Sequence, residues 1–188
     1  MSKTKTIDLT SGPILKTLAE LALPIMASSL LGTAYNITDM AWIGMLGSKA
    51  VAGVGVGGMY VWLSQGLVAL PRMGGQVNVA QACGRGDYEQ ARGYAASALR
   101  LTFLLGILFA AVCIVFIHPL LGFFNLGDAK TYTAAKLYTL ITCGLILFSF
   151  LNLTLTGLST AQGDSKTPLM ANLLGLVGNM ILDPILIL

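Results

Sequence analysis

The chain has 188 residues, of which 55% are hydrophobic and 10% charged, with a formal net charge of +3. Soluble domains carry about 25% charged residues, so the composition excludes a globule that faces water all round. The small positive balance gives no footprint for nucleic acid. Long apolar runs instead predict an all-α, polytopic membrane helical bundle.

Residues 1–13 are polar and read as a cytoplasmic N-terminal tail; no cleavable signal peptide is evident, because the apolar run after them is far longer than a signal core. Five transmembrane helices are predicted at about 14–45, 51–82, 91–117, 130–161 and 168–188. Several exceed the roughly 20 residues that cross a bilayer and should tilt, kink or protrude. Continuous runs argue against a barrel, which needs short alternating segments. The connections "GMLGSK", "CGRGDYEQ", "HPLLGFFNLGD" and "QGDSKTP" read as turns.

Orientation follows from the basic residues. With the N-terminus inside, seven fall on the inner side (Lys3, Lys5, Lys16, Arg85, Arg92, Arg100, Lys166) and three on the outer side (Lys49, Lys130, Lys136). The reading is a multi-pass protein of the cell membrane with a cytoplasmic N-terminus. Cys83, Cys113 and Cys143 lie far apart in or beside apolar runs, without metal-ligand spacing, and read as small packing residues. Glycines clustered in "VAGVGVGGM" and "PRMGG" predict close helix packing, with a flexing or sliding helix as the alternative. The same stretch has no lysine and no preceding strand, so it is not a phosphate loop.

Charges near the bilayer centre cost at least ~2.5–3.5 kcal/mol on insertion scales and usually face a cavity or partner. Three stand out: Asp39, Arg72 and Asp183. Asn36 precedes Asp39 by one helical turn, and Asn179 likewise precedes Asp183. Each pair offers a carboxylate and an amide oxygen, hard donors that suit a small cation or a proton held on the acid. At 1.5 Å per residue Asp183 lies ~22 Å above Pro168, and Asp39 ~30 Å above Leu18. Both then sit in the outer half of the membrane and are expected to share one outward-facing chamber; a packing role is the alternative for each.

Pro24 and Pro184 remove hydrogen bonds to the carbonyls of Glu20 and Met180 and are expected to bend their helices. Arg72 is a candidate charge partner for one of the acids, or a side chain that snorkels to the interface. His118, beside Pro119, reads as interfacial, and Gln76 and Gln81 approach the inner end.

These residues resemble a known family. The "LALP" of the first helix with its later Asp39, the "VAQACGRGDYEQAR" and "STAQGDSKTP" loops, and "GNMILDPILI" at Gly178–Ile187 are similar to the N-terminal half of multidrug and toxic compound extrusion (MATE) transporters. The resemblance runs from about Leu15 to Leu188. It implies two six-helix lobes related by a pseudo-twofold axis, of which this sequence supplies five helices of the first. It further implies export of organic, cationic, drug-like compounds against an inward sodium or proton gradient by alternating access. The positions matching Asp39, Asn179 and Asp183 would carry the sodium ion or proton. The sixth helix and C-terminal lobe are missing, and Arg72 is outside the family pattern.

The sequence therefore reads as a fragment of a cation-coupled efflux antiporter. The alternatives are a lipid or lipid-linked-precursor flippase of the same superfamily and a small non-transporting helical scaffold. An enzyme is not expected, since no metal cluster and no nucleophile placed with a base is present. No cofactor is expected beyond the coupling ion, and the expected partners are the lipid bilayer, a small-molecule substrate and the missing lobe.

Overall fold

The computed structural model describes residues 14–187; within this range the side chains of Lys16, Leu21 and residues 183–187 lie outside the described residues. The chain order is α1 (Ile14–Met45), α2 (Ser48–Gly84), α3 (Tyr88–Val115), α4 (Ile117–Gly122), α5 (Ala129–Gly144), α6 (Ile146–Ala161) and α7 (Lys166–Ile187). Among the described residues no strand occurs. α1, α2 and α3 are long and apolar enough to cross a membrane, and α5 with α6 makes a fourth candidate if the bent pair is one span.

Two local features differ from the sequence reading. The run expected as one helix over about 130–161 is broken at Leu145, where α5 and α6 meet at 45°. Gly144, a poor helix former, ends α5, and Leu145 leaves the helical region at φ −96°, ψ 7°. The break lets the two halves pack on different neighbours: α5 on Gly53 and Gly57 of α2, α6 on Gly75 of α2 and Gly106 of α3. The second feature is α4, which forms where a turn is expected. Its Pro119 is the third helical residue, a position whose N–H has no intrahelical partner in any helix.

α2 is the central element and packs on α3, α5 and α6, whereas α1 packs chiefly against α7. The α2–α3–α5–α6 bundle has small apolar clusters at its two ends. Val79, Ala82, Ala98 and Leu158 fill the α2–α3 end, and Val56, Ile117, Leu121 and Ala135 fill the other. Between them Val68, Ile146 and Phe150 are almost wholly buried. A Cβ on Gly57 would lie 2.8 Å from the Thr139 hydroxyl, and one on Gly75 would lie 2.6 Å from the Ala98 Cβ. Those two glycines therefore set how near α5 and α3 come to α2. Polar groups buried here are mostly satisfied within the bundle. The Thr102 hydroxyl donates to the Ala98 carbonyl at 2.8 Å and meets the Thr154 hydroxyl at 2.9 Å, and Tyr60 donates to the Leu120 carbonyl at 2.7 Å. Cys113 and Cys143 are buried free thiols.

The two Gly-Asp loops share one construction. Gly86 and Gly163 have φ of +76° and +80°, a left-handed conformation that glycine adopts without penalty. The Asp87 N–H returns to the Ala82 carbonyl, and the Asp164 N–H to the Ser159 carbonyl. Each aspartate then caps the next helix: Asp87 accepts from the Gln90 N–H, and Asp164 from the Lys166 and Thr167 N–H groups. "GRGD" and "AQGD" are thus two copies of the same corner, at the same end of the bundle.

Candidate functional site

The α1–α7 pair stands off from α6, and polar side chains line part of the space between them. A cavity of about 560 Å³ is lined by Ser28 and Tyr35 of α1, Ser149 and Asn152 of α6, and Asn172 and Asn179 of α7, among others. A second cavity of about 320 Å³ continues it toward the α6–α7 corner, and Ser28 and Asn172 line both. Helix phase explains the lining. On α7, Asn172, Gly175, Leu176 and Asn179 follow the i, i+3, i+4, i+7 spacing of one face. On α1, Ser28, Leu31, Gly32 and Tyr35 do the same.

The coupling candidates stand differently toward this space. Asn179 lines the larger cavity directly. Asp39 follows the cavity residue Tyr35 by four positions, which places the two on one face of α1. It is half-buried, and its carboxylate is within electrostatic range of the Tyr138 hydroxyl on α5. The backbone of α7 continues as helix through Asp183 and Pro184 to Ile187. Asp183 lies one turn beyond Asn179; its side chain, like that of Pro184, lies outside the described residues. Asn36 is exposed, and on α1 it is Tyr35 that faces the cavity. Pro24 lies inside α1, half-buried, about a turn below Ser28. Among the described residues, no group of three or more His, Cys, Asp or Glu could hold a metal.

Arg72 is elsewhere. It lines the smaller cavity with Ile25, Ser28, Pro168 and Asn172. Asp39 is eleven residues beyond Ser28 on α1, or ~16 Å along the helix, so the structure does not bring Arg72 to that acid. Sequence reasoning passed over Tyr35, Ser149, Asn152 and Asn172. The i, i+3, i+7 recurrence of polar and small residues on the faces of α1 and α7 is the signal that marks Tyr35 and Asn172, and Ser149 and Asn152 share an i, i+3 face of α6.

At the outer end named from the sequence, Lys49 pairs with Asp128 at 2.9 Å. The lysine bond, with help from Thr131, holds the Asp128 carboxyl below the usual carboxylate range. His118 Nδ1 and the Tyr132 hydroxyl lie 2.8 Å apart, a contact within the loop region rather than with the cavity.

Residues 24–185 match the MatE family profile. The chain belongs to the MatE family. Among MatE relatives, it is 28% identical to the "Probable multidrug resistance protein NorM" of Thermotoga maritima over 171 residues, 90% of this chain and 36% of that protein. It is 26% identical to the "FAD transporter" of Shewanella oneidensis, over 95% of this chain and 39% of that one. Two solved structures superpose on all of this chain and 41% of theirs. One is a MOP superfamily transporter from Pyrococcus furiosus, described as having a binding pocket of reversed polarity (TM-score 0.86, 26% identity). The other is the outward-facing conformation of a multidrug resistance MATE family transporter (TM-score 0.85, 27% identity). The chain spans about 40% of the length of these MatE relatives.

Proposed function

We propose that these 188 residues form an incomplete first lobe, five of its six transmembrane helices, of a cation-coupled multidrug exporter that moves organic cations outward by alternating access. The observation that carries the reading is the cavity between the α1–α7 pair and α6, lined in part by polar side chains, with an acid one turn beyond a cavity residue on α1 and on α7. Family membership and the relatives named as multidrug resistance proteins support it. A second lobe, absent from this sequence, supplies the opposite wall of the substrate path.

Asp39, Asn179 and Asp183 would hold the coupling ion. Carboxylate and amide oxygens are the hard donors that a sodium ion prefers, and the same carboxylates can carry a proton. Tyr35 and Asn152, which line the same cavity, add further oxygens to that set. Asn36, exposed on α1, does not line that cavity. Ion or proton entry drives export only if it binds the two arrangements of the lobe unequally, and Pro24, inside α1, weakens that helix where such a change needs to occur. The seven-to-three basic asymmetry supports a cytoplasmic N-terminus.

The test uses the full-length protein that contains these residues, reconstituted in vesicles with an imposed sodium or proton gradient. Asp183→Asn keeps the side-chain shape and its hydrogen-bonding capacity but removes the charge. We expect the variant to insert and fold while losing gradient-driven export, with Asp39→Asn behaving likewise. Export by Asp183→Asn at the parental rate under the same gradient would remove that residue from the coupling role.

A further inference from the structure

We propose that the smaller cavity, beside the α6–α7 corner, binds a phosphate group on Arg72. The proposal is independent of the coupling acids, which lie farther along α1 and α7. Arg72 has no ion pair among the described residues, and its Nε is buried without a hydrogen-bond partner. Ser165, on the opposite wall, is 3% exposed, and its Oγ is also buried without a partner. Both side chains line the same 320 Å³ space, a size at the lower end of the about 300–1,000 Å³ typical of small-molecule sites. Leaving a guanidinium nitrogen and a hydroxyl both unpaired and out of water is costly, so a partner for both is the economical resolution.

The chemistry of the walls selects an anion. Among the described residues, no aspartate or glutamate lines the cavity. The adjacent Asp164 has turned its Oδ1 to the N–H groups of Lys166 and Thr167. What remains facing inward is one cation with amide and hydroxyl donors: Gln76 from α2, Thr156 from α6, Asn172 from α7 and Ser28 from α1. Pro168, in the first turn of α7, also lines the cavity. A planar carboxylate would use the guanidinium fork and leave the far wall empty. A tetrahedral phosphate presents oxygens to donors on several sides, and its pairing with arginine is favourable and bidentate. Gly157 makes the room: a Cβ there would sit 3.1 Å from Arg72 Cγ and 3.5 Å from Gln76 Oε1.

The phosphate could come from a soluble phosphate ester or from a lipid headgroup, and the experiment separates them. The full-length protein, in maltoside micelles and phosphate-free buffer, is titrated with inorganic phosphate and followed by phosphorus NMR line broadening. In parallel it is given phosphatidic acid, and retained lipid is counted by native mass spectrometry. We expect saturable binding of at least one probe, weakened about tenfold or more by Arg72→Gln, as loss of a charge-assisted hydrogen bond requires, and less by Ser165→Ala. Phosphate alone assigns the site to soluble esters, and phosphatidic acid alone to a headgroup. Binding of both with mutual competition supports the shared chemistry. Should Arg72→Gln not elute as a monodisperse protein, Ser165→Ala and Gln76→Leu replace it, each expected to weaken binding about threefold or more. No saturable binding of either probe, or binding unchanged in these variants, overturns the proposal. Neither measurement involves a gradient, so failure here leaves the coupling reading untouched, and failure of coupling leaves this site standing.

Discussion

The α2–α3–α5–α6 bundle and the α1–α7 pair are built from similarly apolar helices, yet they pack differently. In the most apolar window of α2 and of α3, 22% of residues are buried inside the chain, against none for α1. Glycine placement accounts for much of this. Gly53, Gly57 and Gly75 of α2 each lie against a neighbouring helix, whereas Gly32 and Gly44 of α1 and Gly175 and Gly178 of α7 have nothing within 4 Å of where a Cβ would be. Lipid tails are as apolar as leucine, so hydrophobicity does not draw helices together in a bilayer, and close approach depends on small residues. Glycine contacts thus fall in the bundle alone among the described residues, while other α2 glycines such as Gly55, Gly66 and Gly74 stand as open as those of α1 and α7. Gly32 and Gly175 line the larger cavity.

The largest effect should come from filling one contact glycine and one cavity glycine. Gly75→Leu drives a side chain into Ala98, whose Cβ is 2.6 Å from the position a Cβ would take. Overpacking of this kind costs about 1–3 kcal/mol or more, and we expect a clear fall in melting temperature in detergent. Gly32→Leu should stay within about 0.5 kcal/mol of the parent while narrowing the cavity. Equal losses in the two variants would erase the distinction between bundle and pair.

A smaller effect should follow from the threonines. Thr102 is buried and bridges α3 to Thr154 of α6, while Thr33 on α1 bonds only to the Ser29 carbonyl of its own helix. Thr102→Val should cost about 0.6–1.7 kcal/mol, the range of interhelical hydrogen bonds in membranes, and Thr33→Val should cost less. Adding Thr154→Val to the first variant should recover part of the loss, since no unpaired hydroxyl then remains. A melt series of the four proteins measures all of this.

The smallest effect concerns the corner that ties the pair to the bundle. Burial pushes the Asp164 carboxyl up, but hydrogen bonds from Thr167 and the Lys166 N–H, with the Lys166 charge, hold it below its ordinary value of 3.8. A depressed folded-state value contributes stability that is fully present above 3.8 and is lost as pH falls through the folded value. We expect Asp164→Asn to narrow the gap between melts at neutral pH and at pH near 3, by lowering the neutral-pH melt slightly while leaving the low-pH melt nearly unchanged. An unchanged pH dependence would show that the corner does not draw on this carboxylate.

Much of the architecture is legible in the sequence because continuous apolar runs leave few alternatives to membrane helices. The C-terminal limit of α1 follows from the glycine after it, and the Gly-Asp corners follow from glycine at the point of reversal and aspartate at the next cap. The break at Leu145 is not legible, because the run through Cys143, Gly144 and Leu145 stays apolar and a lone glycine is tolerated in a membrane helix. It forms there to satisfy packing on two different neighbours. The site is legible in its charges and less so in its walls. Asp39 and Asp183 stand out because ionisable groups are rare in apolar runs, whereas Asn152 and Tyr35 are ordinary until helix phase shows which face they share. Asn36 illustrates the same limit from the other side. Three residues is close to one turn, yet packing presents Tyr35 to the cavity and leaves Asn36 exposed.

The connections of the pair have a mechanical consequence. α1 joins the bundle through Leu46 and Gly47 alone, the latter at φ +98°, and α7 joins it through the Gly163–Asp164 corner at the opposite end. The two helices that wall the cavity are therefore held to the bundle at opposite ends of that space, α1 by a two-residue turn and α7 by a hydrogen-bonded corner.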